Sequence, residues 1–263
     1  MGLFTNIFKK TEKLEPFDLG RLKVDIHSHL IPGIDDGAQD MDQSIAMLNK
    51  FQSMGFKKVV TTPHVMTDSF PNTNEIILNG LTKLREEAKR HGLTIEIEAA
   101  AEYYFDETLM PKISNKELLT FGDNYVLVEF AFHSKPQFLD QLFFELKSNG
   151  YRPVIAHFER YMYFLGNIDK AIEWRKNGIN IQINLNSLSG QYGPEIKKQA
   201  EKLIDAGEFD FVGTDCHRIE HLMLLEDNLR NLYMHKIGNY LVKNLVIGSS
   251  IWFVMPKQWR HFL

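Results

Sequence analysis

The sequence predicts an α/β fold of parallel strands joined by helical crossovers, and three observations lead to it. Short apolar runs rich in β-branched residues alternate with longer helix-like stretches along the chain, and repeated β-then-α units of this length need parallel strands. Several of the helical stretches open after Asp, Ser or Pro and close at a glycine, at Gly55, Gly92, Gly150, Gly178 and Gly207, as helix ends prefer. No internal repeat, low-complexity tract or Pro/Gly/Ser linker divides the chain. One α/β domain is therefore expected over residues 20–250, preceded by an extension (1–19) and followed by a short C-terminal segment (251–263).

In chain order, a first strand is predicted at "LKVDI" (22–26) and a helix over 41–54. "KKVVTT" (57–62) gives the second strand, followed by a helix over 74–91. "LTIEIEAA" (93–100) and "NYVLVEF" (124–130) give the third and fourth, and a helix over 136–149 comes next. "RPVIAH" (152–157) precedes a helix over 168–177, "INIQINL" (179–185) one over 194–206, and "FDFVGT" (209–214) one over 220–235. Only "TTPHVMTDSFPNT" and the stretch 103–123 are long enough to form a lid.

Composition narrows the function classes. With 44% hydrophobic and 24% charged residues in a chain of 263, a large core can be buried and disorder is not expected. The formal net charge of -4 gives no basic footprint, so nucleic acid is excluded as the expected partner. The single cysteine, Cys216, cannot form an internal disulfide, which fits a reducing compartment. The opening "MGLFTNIFKK" lacks the uninterrupted apolar run and cleavage site of a signal peptide. Leu3, Phe4, Ile7 and Phe8 share a helical face ahead of Lys9 and Lys10, which permits a membrane-surface helix, although a self-packed terminus is preferred. "LVIGSSIWFVM" falls short of the roughly 20 residues needed to span a bilayer, so stable membrane insertion is not expected. The expected location is cytoplasmic, with a position near the inner membrane face left open.

The polar residues gather at strand ends. His27 and His29 follow the first strand, with Asp36 in the loop beyond, and "TTPH" delivers His64 after the second. Glu102 follows the third strand, Glu129 ends the fourth, His157 the fifth, and "TDCH" places Asp215 and His217 after the seventh. In a parallel barrel all such ends share one face, where active sites are built. A lone His or Asp there is ordinarily a cap or a satisfied buried group. So many converging groups would repel and desolvate one another unless cations neutralised the carboxylates and used the imidazole lone pairs. Mixed nitrogen and carboxylate ligands without thiolate suit manganese, iron or zinc in a catalytic site.

"DIHSHLIPGIDDGA", "TTPH", "AEYYF", "LVEF", "AHFER" and "GTDCH" together resemble the ordered motifs of the PHP (polymerase and histidinol phosphatase) superfamily. The opening "HSHxxPGIDDG" pattern resembles most closely its bacterial protein tyrosine phosphatases of capsule and exopolysaccharide systems. The resemblance runs from about residue 22 to 235 and implies a distorted seven-stranded (β/α) barrel with its active site at the C-terminal strand ends. It implies two or three divalent ions, with Mn²⁺ favoured and Fe or Zn also suitable. One ion would be held by His27, His29, Glu102 and Asp215. Glu102 would bridge to a second, completed by Glu129 and His157, and a third would lie between Asp36, His64 and His217. Of the neighbouring aspartates, Asp36 rather than Asp35 matches the ligand position. Arg160 matches an arginine that grips phosphate. The pattern is broken after His217: the family's further arginine lies a few residues on, whereas here Arg218 follows at once, then "IEHL", and Arg218 reads as a surface residue.

The implied activity is hydrolysis of a phosphoric monoester by a metal-activated hydroxide. Protein phosphotyrosine is the favoured substrate, carried by the tail of a bacterial tyrosine kinase that controls polysaccharide export. The alternatives are a small-molecule phosphatase of the histidinol-phosphate type and a non-catalytic, kinase-associated regulatory protein. Cys216 lacks the Gly-rich, Arg-terminated loop of a cysteine-dependent phosphatase and reads as structural. Tyr103, Tyr104, Phe105 and "YMYF" (161–164) read first as packing, with a substrate rim as the second reading. His91, His133, His221, His235 and His261 fall outside the motifs and are left out of the site.

Overall fold

A computed structural model describes residues 14–240; the apolar face at Leu3–Phe8, the segment 251–263 and His261 lie outside the described residues. Among the described residues nine strands form, each paired in parallel. They are β1 (Val24–Asp25), β2 (Lys58–Thr61), β3 (His64–Val65), β4 (Glu96–Ala99), β5 (Glu102–Tyr104), β6 (Tyr125–Glu129), β7 (Arg152–Ile155), β8 (Asn180–Asn184) and β9 (Phe211–Gly213). They make a three-stranded sheet, β1-β2-β4, and a six-stranded sheet, β3-β5-β6-β7-β8-β9. Nine strands stand where seven runs were expected, because the chain resumes pairing beyond the second and third runs, in β3 after Thr62–Pro63 and in β5 after Ala100–Ala101. Pro63 has no N–H to give to a ladder. The halves remain connected: Thr62 N donates to Ser28 O (2.7 Å), Ala100 N to Thr61 O (2.9 Å) and Glu102 N to Pro63 O (3.1 Å).

The chain beyond β1 meets the chain beyond β9. Ser28 and Cys216 form a parallel bridge, His29 N donates to Cys216 O, and Asp215 N donates to His27 O, each at 2.8 Å. The first and last strand segments are thereby neighbours.

The helices are α1 (Met41–Ser53), α2 (Asn74–Arg90), α3 (Leu109–Ser114), α4 (Leu139–Ser148), α5 (Asp169–Lys176), α6 (Pro194–Ala206), α7 (Ile219–Asp227) and α8 (Leu232–Ile237). Asp40 caps α1 by accepting from Gln43 N, and Thr73 caps α2 by accepting from Ile76 N. On α2, Ile77, Leu78, Leu81, Leu84 and Ala88 are buried, one apolar face at helical spacing. The helix expected over 220–235 is two helices, the second capped by the Asn231 side chain. The sequence reading missed α3, because Pro111 reads as a breaker; in the first turn its missing N–H costs nothing.

Alternation along the strands places the site. A small core of Val24, Ile26, Val60, Ala100, Tyr125, Leu127, Val154, Ala156 and Phe211, with Phe121, is distinct from the main core, which holds Val59, Ala99, Val126, Val128 and Ile155. Successive strand residues face opposite sides, so the first set lines the inner face of the curled strands. Continuing that face by two-residue steps leads from Val60 to His64, from Ala100 to Glu102, from Leu127 to Glu129 and from Phe211 to Asp215. The inner face is apolar at the strand starts and polar at their ends. Phe17 and Leu19, within the expected N-terminal extension, are buried in the main core.

Candidate metal centre

All nine predicted ligand residues converge. Register sets His64 on β3 opposite Glu102 on β5, and Tyr104 opposite Glu129 on β6. Two close approaches admit only glycine. A Cβ on Gly37 would stand 2.3 Å from His29 O, and one on Gly213 would stand 2.7 Å from His27 Cβ. His157 and Asp215 hold left-handed backbone at φ 31° and 51°, uncommon for non-glycine residues and concentrated at functional sites.

Four groups of potential ligand atoms form: His27, His29 and Glu102; His27, His157 and Asp215; His64, Glu102 and Glu129; and His29, Asp36, His64 and His217. Glu102 Oε2 lies 3.2 Å from His27 Nε2, 3.5 Å from His29 Nε2 and 3.2 Å from His64 Nδ1. Its other oxygen accepts from His157 Nε2 at 3.0 Å, and the same nitrogen is 3.4 Å from Glu129 Oε1. Asp36 Oδ1 is 3.3 Å from His217 Nε2 and 3.6 Å from His64 Nε2. The arrangement thus shares His29 and His64 between groups that the resemblance keeps apart.

Whether the residues fit metal ions can be judged from their unmet bonding. His27 Nε2, His29 Nε2, His64 Nδ1 and Glu102 Oε2 are buried without a hydrogen-bond partner among the described residues. Each such group costs about 1–3 kcal/mol, a large part of the roughly 5–15 kcal/mol that holds a whole domain folded. Cations would satisfy all four at once, and the donors suit manganese, iron or zinc.

Their orientation is set from behind. His29 Nδ1–H donates to Asp35 Oδ2 (2.7 Å), turning Nε2 inward. Asp35 also accepts from His64 N (3.1 Å) and Gly37 N (3.0 Å). His27 Nδ1 faces Gln182 Oε1 at 3.1 Å, and that oxygen also accepts from His157 N at 2.8 Å. Gln182 Nε2 donates to Asn184 Oδ1, and Asn184 Nδ2 to Asp215 Oδ2, both at 2.8 Å. His217 Nδ1 meets Asp215 O at 3.0 Å. Such supports fix tautomer and ring orientation in metal sites. Asp35, Gln182 and Asn184 were missed as site residues. The polar Gln182 and Asn184 inside the apolar strand "INIQINL" were the available signal.

Electrostatics follows from the same contacts. Burial raises the Glu102 carboxyl, but His27 and His64 beside it hold it well below the usual carboxylate range. Burial would lower His29, yet Asp35 and the neighbouring carboxylates hold it well above an ordinary imidazole.

Arg160 NH1 donates to Asp215 Oδ2 at 2.9 Å, its guanidinium carbon 4.4 Å from the ring centroids of both Phe132 and Tyr192. Arg218 is exposed, and its Nε donates to His221 Nε2 at 3.1 Å; both border the ligand cluster without joining it. Cys216 is fully buried, and burial, then Asp25, pushes its thiol well up, as a structural residue requires. A cleft of ≈ 550 Å³ opens from the cluster between His64, Phe70, Tyr104, Glu129, Phe130 and Phe132. Its wall is pinned where Asp106 Oδ2 accepts from Thr67 N (2.9 Å) and Oγ1 (2.7 Å). Tyr103 is packing, its hydroxyl accepting from Leu119 N, whereas Tyr104 reaches the cleft.

The profile of the family described as "Capsular polysaccharide synthesis, CpsB/CapC" matches residues 23–251. The chain belongs to that family. The tyrosine-protein phosphatase CpsB of Streptococcus pneumoniae is 27% identical over 240 residues, covering 89% of this chain and 99% of that protein. The tyrosine-protein phosphatase YwqE of Bacillus subtilis (strain 168) is 29% identical over 198 residues, covering 75% and 78%. A crystal structure from the pair YwqE and CpsB, described as unique metal-dependent tyrosine phosphatases, superposes with TM-score 0.71 at 26% identity, covering 84% of this chain and 94% of that one. Every ligand position considered in this CpsB/CapC member lies inside the matched span.

Proposed function

We propose that this chain is a cytoplasmic, metal-dependent phosphoric monoester hydrolase acting on protein phosphotyrosine, with the tail of a bacterial tyrosine kinase that controls polysaccharide export as its substrate. The observation that carries the reading is the set of buried, unbonded imidazole and carboxylate atoms facing one another beside Arg160. The family membership and the named activities of CpsB and YwqE support it. In this reading the two sheets act as one distorted barrel of seven strand positions within a domain spanning 20–250.

His27, His29, Glu102 and Asp215 would hold one ion, Glu102, Glu129 and His157 a second, and Asp36, His64 and His217 a third, with Mn²⁺ favoured. Bound there, divalent ions supply Lewis acidity and a water of near-neutral pKa. Arg160 grips the phosphoryl oxygens, adding charge-assisted bonds in a fork geometry. The aromatic cleft takes the phenyl ring and leaves room for the attached backbone, and a phenolate of pKa about 10 departs without a strong acid. Buried Cys216 takes no part.

The test is kcat/KM with Mn²⁺ for a phosphotyrosyl peptide, a phosphoseryl peptide and histidinol phosphate. The expected preference for phosphotyrosine is at least about tenfold, some 1.4 kcal/mol of transition-state stabilisation, with turnover abolished in EDTA. A preference for histidinol phosphate would select the small-molecule alternative. No turnover of any of the three would select the binding-only one, and full turnover in EDTA would refute metal dependence.

A further inference from the structure

Arg160 is built in from several sides. Its guanidinium carbon is 4.4 Å from the Phe132 centroid and 4.4 Å from the Tyr192 centroid, and one N–H is spent on Asp215 Oδ2. Tyr192 reaches it from the turn Gly190-Gln191-Tyr192-Gly193, which is closed by Gly193 N donating to Gly190 O at 2.9 Å. Both glycines are left-handed, at φ 88° and 101°, so a side-chain-bearing residue at either place would strain the turn that aims Tyr192. The loop leading into this turn is tied to the segment carrying Arg160: fully buried Glu159 accepts from Asn184 N (2.9 Å) and Ser187 Oγ (2.6 Å) through Oε1. Phe132 also lines the aromatic cleft.

We propose that Tyr192 is a positioning residue: with Phe132 it forms an aromatic clamp that holds the Arg160 guanidinium plane ready for a phosphoryl group. The proposal rests on the reading of Arg160 as the phosphate-gripping side chain. A free arginine loses much side-chain entropy when it docks an anion, and a cation held between aromatic faces has lost it beforehand, with a favourable cation–π interaction. The clamp needs the ring and not the hydroxyl. Because Phe132 faces both the cleft and the arginine, the clamp places the phosphate grip beside the wall that receives the phenyl ring.

The experiment compares Tyr192→Leu, Tyr192→Phe, Arg160→Ala and the double variant Tyr192→Leu/Arg160→Ala, all loaded with Mn²⁺. Two readouts are taken: kcat/KM on a phosphotyrosyl peptide, and calorimetric binding of inorganic phosphate, which needs no turnover. Tyr192→Leu is expected to lower both by about tenfold, and Tyr192→Phe to stay within about twofold of wild type. The double variant should be no worse than Arg160→Ala, because the clamp acts only through the arginine. A Tyr192→Leu loss that adds in full to that of Arg160→Ala would show a merely structural role and overturn the proposal. So would a Tyr192→Leu protein that behaves as wild type while Arg160→Ala is impaired. A wild-type Arg160→Ala in both readouts would sink the phosphate-gripping role itself, and the clamp with it.

Discussion

Replacing Asp35 by Asn tests how the centre is held together. The Asp35 carboxylate accepts three donors: His29 Nδ1–H at 2.7 Å, His64 N–H at 3.1 Å and Gly37 N–H at 3.0 Å. It sits among them only 8% exposed, and it donates nothing. A carboxylate is the side chain suited to three donors, since asparagine replaces one acceptor oxygen by an NH₂. If that NH₂ faces Gly37, one buried donor is left opposed, costing about 1–3 kcal/mol of stability. If it faces His29, the imidazole proton must move to Nε2, and the atom aimed at Glu102 Oε2 is no longer a free lone pair. In either case the negative charge that raises His29 basicity is gone. Outer partners of this kind contribute about 10- to 100-fold in metal affinity, or about 1.4–2.7 kcal/mol. The assay is competition for Mn²⁺ between the apo-protein and a fluorescent chelator, with apo-protein melting curves as a control for folding. A well-folded Asp35→Asn protein that binds Mn²⁺ within about twofold of wild type would refute the reasoning.

Two further outcomes follow from the geometry. Glu102→Ala should lower kcat/KM at least about tenfold more than His64→Ala, because Glu102 reaches His27, His29, His64 and His157 whereas His64 lines the cleft at the edge of the cluster; equal, mild losses in steady-state assays would contradict that ranking. Cys216→Ala should keep kcat/KM within about threefold, and iodoacetamide at mildly alkaline pH should leave wild-type activity intact, since a buried thiol with a raised pKa is not a nucleophile; rapid inactivation with one alkylated cysteine by mass spectrometry would reverse this.

The strand ends were legible because the chemistry changes abruptly there. "VLVEF" runs apolar until Glu129, which alternation along β6 keeps on the inner face with Leu127, and the apolar "FVG" run stops at Gly213, two residues before Asp215. Adjacent Asp35 and Asp36 point apart, the first to His29 and the second to His64 and His217. The break in the helix expected over 220–235 was not legible, because its apolar spacing carries through Leu229 while Asn231 starts a new capped helix. Gln182 meets His27 across 155 residues of sequence, a pairing that exists only once the strands are arranged. Tyr192 gave no local signal beyond two flanking glycines, and its partner Arg160 comes from a different strand end.

The Asp215 carboxylate joins the two halves of the site. Its Oδ1 faces His27 at 3.3 Å, His29 at 3.5 Å and His217 at 3.4 Å, while its Oδ2 accepts from Arg160 and Asn184. One oxygen is thus turned to the imidazoles and the other to Arg160 and Asn184. Burial raises this carboxyl, but His27 and His217 hold it well below its usual value, so it stays an acceptor for both. The charge of Arg160 is therefore fixed relative to the imidazoles by a single planar carboxylate. Asp215 holds this place with a backbone geometry that a non-glycine residue adopts only at a cost, φ 51°, and the two hydrogen bonds at its Oδ2 help to offset that cost.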